Sequence, residues 1–165
     1  AHYIQVMADK TGSLIAASAE LGVMFGGADD AYREPLRIFG EKVGVAFQLI
    51  DDVIDLTSEG AKSGKTQGTD LRAGVATLPV LLLRQLAAND SDAAALLARV
   101  QGDLTDDSVL ASVVADLGAH PATEAARAEA RRWAVEAAEA LTPLPDGSVK
   151  EALKTFALAV VDRQS

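Results

Sequence analysis

Phe47-Gln48-Leu49-Ile50-Asp51-Asp52-Val53-Ile54-Asp55 sets three carboxylates inside an otherwise apolar stretch of helical character. A helix turns about 100° per residue, which puts Asp51 and Asp55 roughly 40° apart around the axis and Asp52 about 60° to the other side of Asp55. Gln48, one turn earlier, points into the same arc. Like charges at this spacing destabilise a helix. At about 5 Å their repulsion is roughly 3 kcal/mol per pair at an effective dielectric near 20. Such a cluster on a half-buried face calls for a cation, and an oxygen-only donor set suits Mg²⁺ or Ca²⁺.

Upstream of the carboxylates, Leu36, Phe39, Val43, Phe47, Ile50 and Ile54 recur on one broad apolar face, which predicts a helix over about 32–56. Gly40 and Gly44 lie inside it, each costing about 1 kcal/mol relative to alanine. Gly44 falls near the acidic arc, so it either leaves room for a ligand or lets another helix approach closely. Before this helix, Gly26-Gly27-Ala28-Asp29-Asp30 is a break, with Asp29 or Asp30 as a cap. The preceding 3–25 read as a helix, with apolar positions at Ile4, Met7, Leu14, Ile15 and Leu21. Ser18 and Gly22 fall on one side of it, and their small size predicts close approach of a neighbour there. Met7 and Met24 are expected in the core.

Downstream, 57–74 is a polar, glycine-rich loop carrying Lys62, Lys65 and Arg72. Thr77-Leu78-Pro79 marks a helix start, with Thr77 as cap and proline in the first turn. Further helices are predicted near 92–100, 108–117 and 123–141. On the last of these, Arg127, Arg131 and Arg132 alternate with Glu124, Glu129, Glu136 and Glu139 as a solvated, paired face. Ser148 with Glu151 has the spacing of a capping box for a final helix to about residue 162.

Composition agrees with an all-helical class. The 165 residues are 49% hydrophobic, 4% aromatic and rich in alanine, enough for one domain with a real core. A net charge of −9 disfavours nucleic acid and anionic membrane surfaces as partners. No apolar run approaches the roughly 20 residues of a membrane span. The absence of cysteine fits a reducing compartment, so a cytoplasmic location is expected. Ala1-His2-Tyr3-Ile4 begins in mid-pattern, which predicts a piece of a longer chain.

Three segments stand together: Lys10-Thr11, then Phe47–Asp55, then Gly64-Lys65-Thr66-Gln67-Gly68-Thr69-Asp70-Leu71-Arg72 running on to Thr77-Leu78-Pro79. Their order and spacing resemble the C-terminal half of trans-isoprenyl diphosphate synthases, the polyprenyl synthetase family. A lone DDxxD is a weak signal; FQxxDDxxD followed by GKxxGxDLR and TLP is a strong one. The resemblance covers residues 3–85 well and is beyond that a compatible helical pattern.

The resemblance implies an antiparallel helical bundle of the isoprenoid synthase type, here a single domain over 1–165 lacking its N-terminal helices. It implies Mg²⁺ held by Asp51, Asp52 and Asp55, with Asp51 the direct ligand and the others acting through metal-bound water. Lys10 and Lys65 would contact an allylic diphosphate, and Thr11 and Gln48 would orient it. The substrates implied are isopentenyl diphosphate and an allylic prenyl diphosphate, in a homodimer. Arg72 is read as tying the loop to nearby carboxylates.

There are departures from the family pattern. The first aspartate-rich motif belongs to an earlier helix and is absent; Asp29-Asp30-Ala31-Tyr32-Arg33 ends in arginine and reads as a cap. Val75 stands where many relatives have lysine. Arg163 is read as an exposed terminal arginine, with diphosphate contact as the alternative. The isolated chain is therefore expected to be inactive. A subunit completed by a separate chain is the second functional reading. A terpene cyclase is disfavoured, because its second metal pattern is not found.

Overall fold

The computed structural model describes residues 2–57 and 67–163. In chain order the elements are α1 (His2–Met7), a π-helical segment (Ala8–Gly12), α2 (Ser13–Gly26), a 3₁₀ turn (Asp30–Tyr32), α3 (Arg33–Thr57), α4 (Thr69–Arg72), α5 (Leu78–Leu86), α6 (Ser91–Val100), α7 (Asp107–Ala119), α8 (Pro121–Ala140) and α9 (Ser148–Asp162). The expected all-α class holds, with no strand among the described residues. The chain divides into two compact units, one built from residues up to Gln48 and from Glu129 onward, the other from Leu49–Ala128.

In the first unit, α1, the π segment and α2 follow one another with helical dihedrals at both junctions. Gly27, at φ 68°, ends α2 in the left-handed region. Asp29 then accepts from the N–H of Ala31 at 2.9 Å, the cap expected from the sequence. The face of this stretch that packs is not its large apolar one. Gly12, Ala16 and Val23 are buried, at helical spacing, whereas Leu14 is 69%, Met24 50% and Phe25 85% exposed. Met24 is thus no core residue, and Gly22 has nothing within 4 Å of where a Cβ would stand. The close approach is made elsewhere: a Cβ on Gly40 would lie 2.7 Å from the Ile15 carbonyl oxygen, and one on Gly44 2.6 Å from Gly12 Cα. The interior glycines of α3 accordingly serve helix packing against the π segment and the start of α2.

Within the same unit α8 buries Ala130, Ala134 and Ala137 at three- and four-residue intervals. Lys42 of α3 donates to Glu136 of α8 at 2.6 Å and lies 4.7 Å from the Trp133 ring centroid. The expected charged face of α8 is present, with Arg132 bonded to both Glu129 and Glu136. The capping box does not form: Gly147 is the N-cap of α9, and Glu151 pairs with Lys154 at 3.0 Å. Buried Lys150 instead organises the α8–α9 connection, donating to the carbonyls of Thr142 at 3.1 Å and Leu144 at 2.8 Å and to Asp146 at 3.0 Å.

In the second unit Leu56, Leu71, Val80, Leu83, Leu96, Val113 and Leu117 form one core cluster. Asp90 caps α6 through the N–H groups of Asp92 and Ala93, and Asp106 caps α7 through those of Ser108 and Val109. Within the stretch expected as loop lies the four-residue helix α4, too short to leave a periodic signal. Gly68 initiates it at φ 71°, and its backbone sits so close to α7 that a Cβ would overlap Val114.

Candidate functional site

The sequence-selected residues fall into both units, and each group has its own local construction. In the first unit the π segment widens the helix by one residue per turn and carries Lys10 and Thr11. Lys10 is exposed and Thr11 half-buried. Gly12 and the Thr11 carbonyl carbon lie against Gly44, the latter 3.2 Å from a Cβ built there. Gln48 follows Gly44 by one turn of α3 and is half-buried. The main-chain contact therefore brings the Lys10-Thr11 segment to the stretch of α3 that ends in Gln48.

Arg163 corrects an expectation. It is not an exposed terminal arginine: its guanidinium lies 4.2 Å from the Phe47 ring centroid, and Nη2 donates to the Phe47 carbonyl at 3.4 Å. Phe47 gave no charge-based signal in the sequence, and a stacking partner 116 residues away is invisible to spacing arguments.

In the second unit the three carboxylates are placed differently. Asp51 is exposed, while Asp52 and Asp55 are half-buried. Asp52 Oδ2 accepts from the N–H of Leu78 at 3.3 Å, at the start of α5. Thr77, expected to cap that helix, is buried and its side chain makes no capping bond. Asp55 accepts from the N–H groups of Asp70, at 3.4 Å, and of Thr69, at the start of α4, and its own carbonyl accepts from Gly68 at 3.1 Å. Burial pushes the Asp55 carboxyl above its ordinary value. The Asp70 and Asp51 charges push the same way, and the N–H groups of Asp70 and Thr69 oppose them. Arg72 pairs with Asp107, as the sequence suggested for a loop-fixing arginine. Asp70, the aspartate of the GKxxGxDLR stretch, joins the group, although the sequence assigned it no role of its own. Lys62 and Lys65 lie outside the described residues.

Among the described residues no three acidic or histidine side chains converge closely enough to hold a metal on their own. That arrangement fits Mg²⁺, which commonly takes one or two carboxylates and completes its shell with water and substrate phosphates. The oxygen-only donor set favours a hard cation.

Fold and acidic helix together define an all-helical protein of the isoprenyl diphosphate synthase class. The chain belongs to the polyprenyl synthetase family, whose sequence pattern matches residues 1–117. It is 40% identical over 161 residues to a nonaprenyl diphosphate synthase of Mycobacterium tuberculosis, covering 98% of this chain and 48% of that protein. It is 35% identical to heptaprenyl diphosphate synthase component 2 of Geobacillus stearothermophilus, covering 98% of this chain and 49% of that one. A geranylgeranyl pyrophosphate synthase of Corynebacterium glutamicum, solved with calcium and isoprenyl diphosphate, superposes with a TM-score of 0.85 at 40% identity, over 98% of this chain and 49% of that chain. A decaprenyl diphosphate synthase of Rhodobacter capsulatus gives 0.79 at 34% identity, over 99% and 50%. The chain thus spans about half the length of the curated relatives it matches. No helix among the described residues is long and apolar enough to cross a membrane.

Proposed function

We propose that this chain is the C-terminal half of a Mg²⁺-dependent trans-prenyltransferase that joins isopentenyl diphosphate to an allylic diphosphate, making a polyprenyl diphosphate. The two units are read as parts of one synthase domain, acting in the cytoplasm as a homodimer. The observation that carries the reading is Asp51: a carboxylate facing solvent at the end of a largely apolar helix, in a chain of this family.

Asp51 would hold the metal, with Asp52 and Asp55 behind it. When bound, Mg²⁺ supplies positive charge against a departing diphosphate. Lys10 and Lys65 offer point charges to diphosphate oxygens, and the Thr11 hydroxyl and Gln48 amide orient them. In the reaction the allylic carbon–oxygen bond breaks, and the double bond of isopentenyl diphosphate forms the new carbon–carbon bond. A proton is lost to restore a double bond, and diphosphate leaves.

The intact protein is expected to incorporate labelled isopentenyl diphosphate onto farnesyl diphosphate only with Mg²⁺. Asp51→Ala abolishes Mg²⁺-dependent diphosphate binding there with little loss of fold, since it also removes repulsion. Wild-type affinity in that variant refutes the metal role. Turnover by the 165-residue chain alone refutes its expected inactivity. Similarity to a protein named as component 2 of a heptaprenyl synthase favours a second reading, a subunit completed by another chain. Co-purification with a partner supplying the missing acidic motif separates the two.

A further inference from the structure

We infer that Asp52 and Asp55 are positioning residues, each capping a helix start so as to clamp 68–78 onto the acidic end of α3; this rests on the reading of Asp51 as the metal-facing carboxylate. Two helices start in that segment, and neither is capped by its own N-cap side chain: Gly68 precedes α4 and offers none, and Thr77 precedes α5 and its side chain makes no capping bond. The orphan N–H groups at both starts are met instead by aspartates one turn apart on a third helix. Asp52 Oδ2 takes the N–H of Leu78, and Asp55 takes those of Asp70 and Thr69. A carboxylate is the favoured partner for the positive end of a helix. The backbone bond from Gly68 to the Asp55 carbonyl, at 3.1 Å, fixes the near end of the segment at the same place. Buried Leu71, Leu78 and Pro79 hold the inner side of the segment in the core.

The acidic motif thereby divides its labour. Spacing alone makes the three carboxylates equivalent; in the structure Asp52 and Asp55 each accept from main-chain donors at a helix start, and Asp51 is exposed. The segment's geometry then depends on acceptor oxygens at 52 and 55.

The test is amide hydrogen exchange on the intact protein, paired with calorimetric titration of inorganic diphosphate with Mg²⁺. Asp52→Ala is expected to speed exchange at Leu78 roughly fivefold, the factor of one typical hydrogen bond. Asp55→Ala does the same at Asp70. Asp51→Ala changes neither. Asp52→Asn, which keeps an acceptor, rescues both the exchange protection and most of the diphosphate binding lost in Asp52→Ala. Unchanged exchange at Leu78 in Asp52→Ala overturns the inference. So does an Asp52→Asn variant that binds diphosphate no better than Asp52→Ala. Should Asp52→Ala fail to fold, exchange at Leu78 in Asp52→Asn decides: within about twofold of wild type sustains the clamp, and faster exchange overturns it. If the exchange pattern holds but the intact wild-type protein binds no diphosphate with Mg²⁺, the clamp stands and the metal reading fails.

Discussion

Replacing Gly44 with alanine isolates the contact that seats the Lys10-Thr11 segment. The added Cβ would stand 2.6 Å from Gly12 Cα, 2.9 Å from Gly12 N and 3.2 Å from the Thr11 carbonyl carbon. Ordinary carbon contacts are about 3.5–4.0 Å, so the π segment and α3 must part by about 1 Å. Every atom met is main chain, so no rotamer change relieves the overlap. Overpacking of this kind costs about 1–3 kcal/mol. Alanine in a helix interior returns about 0.5–1 kcal/mol relative to glycine. At mid-range the clash wins, for a net loss of about 1 kcal/mol. Gly22→Ala is the matched control: it lies in α2 with nothing within 4 Å, and only the helical gain of about 0.5–1 kcal/mol applies. At about 2–4 °C per kcal/mol for a chain of this size, thermal unfolding by circular dichroism places Gly44→Ala below wild type and Gly22→Ala slightly above it. Gly44→Ala melting level with or above wild type would refute the packing argument.

Gly68→Ala and Gly27→Ala both force a side chain into positive φ, at about 1–2 kcal/mol. Gly68→Ala adds overlap with Val114, where Gly27→Ala meets open space, so urea titration should rank Gly68→Ala the less stable by at least about 1 kcal/mol. Lys150→Met strands two carbonyls and costs about 2–3 kcal/mol in thermal unfolding; Asp146→Asn, at an exposed carboxylate, leaves the melting temperature unchanged. Glu136 is held below the ordinary glutamate value, first by its hydrogen bond to Lys42 and then by Arg132. Its folded-state value is depressed, so its stabilisation is present above the unfolded value and is lost as pH falls through the folded one. Glu136→Gln should therefore cost about 1 kcal/mol at pH 7, with the gap to wild type closing as pH drops below about 4.

The helices were legible wherever apolar residues recur over several turns, as from Leu36 to Ile54, and wherever an aspartate precedes a run, as at Asp29. The acidic helix and its loop motif pointed to the right family. What spacing could not convey was which face of a helix finds a partner. Leu14 and Phe25 look like core to any periodicity argument, yet the small residues Gly12 and Ala16 make the contact, because main chains approach only where no side chain intervenes. Caps misled for a related reason. Thr77 stands at the N-cap position, but the Leu78 donor at α5 went to Asp52, an acceptor 26 residues away, and Ser148 is the first residue inside α9, with Gly147 at its N-cap. A partner chosen by three-dimensional proximity leaves no trace in local order.

The buried alanines of α8 have a bearing on how that helix keeps its alignment. Methyl groups project too little to interlock like teeth, so a surface built from Ala130, Ala134 and Ala137 is nearly smooth. Sliding by a fraction of a turn changes its dispersion energy only slightly. The Lys42–Glu136 bond and the stacking of Lys42 on Trp133 are directional by contrast, and they act as the detent that picks one alignment out of several nearly equal ones.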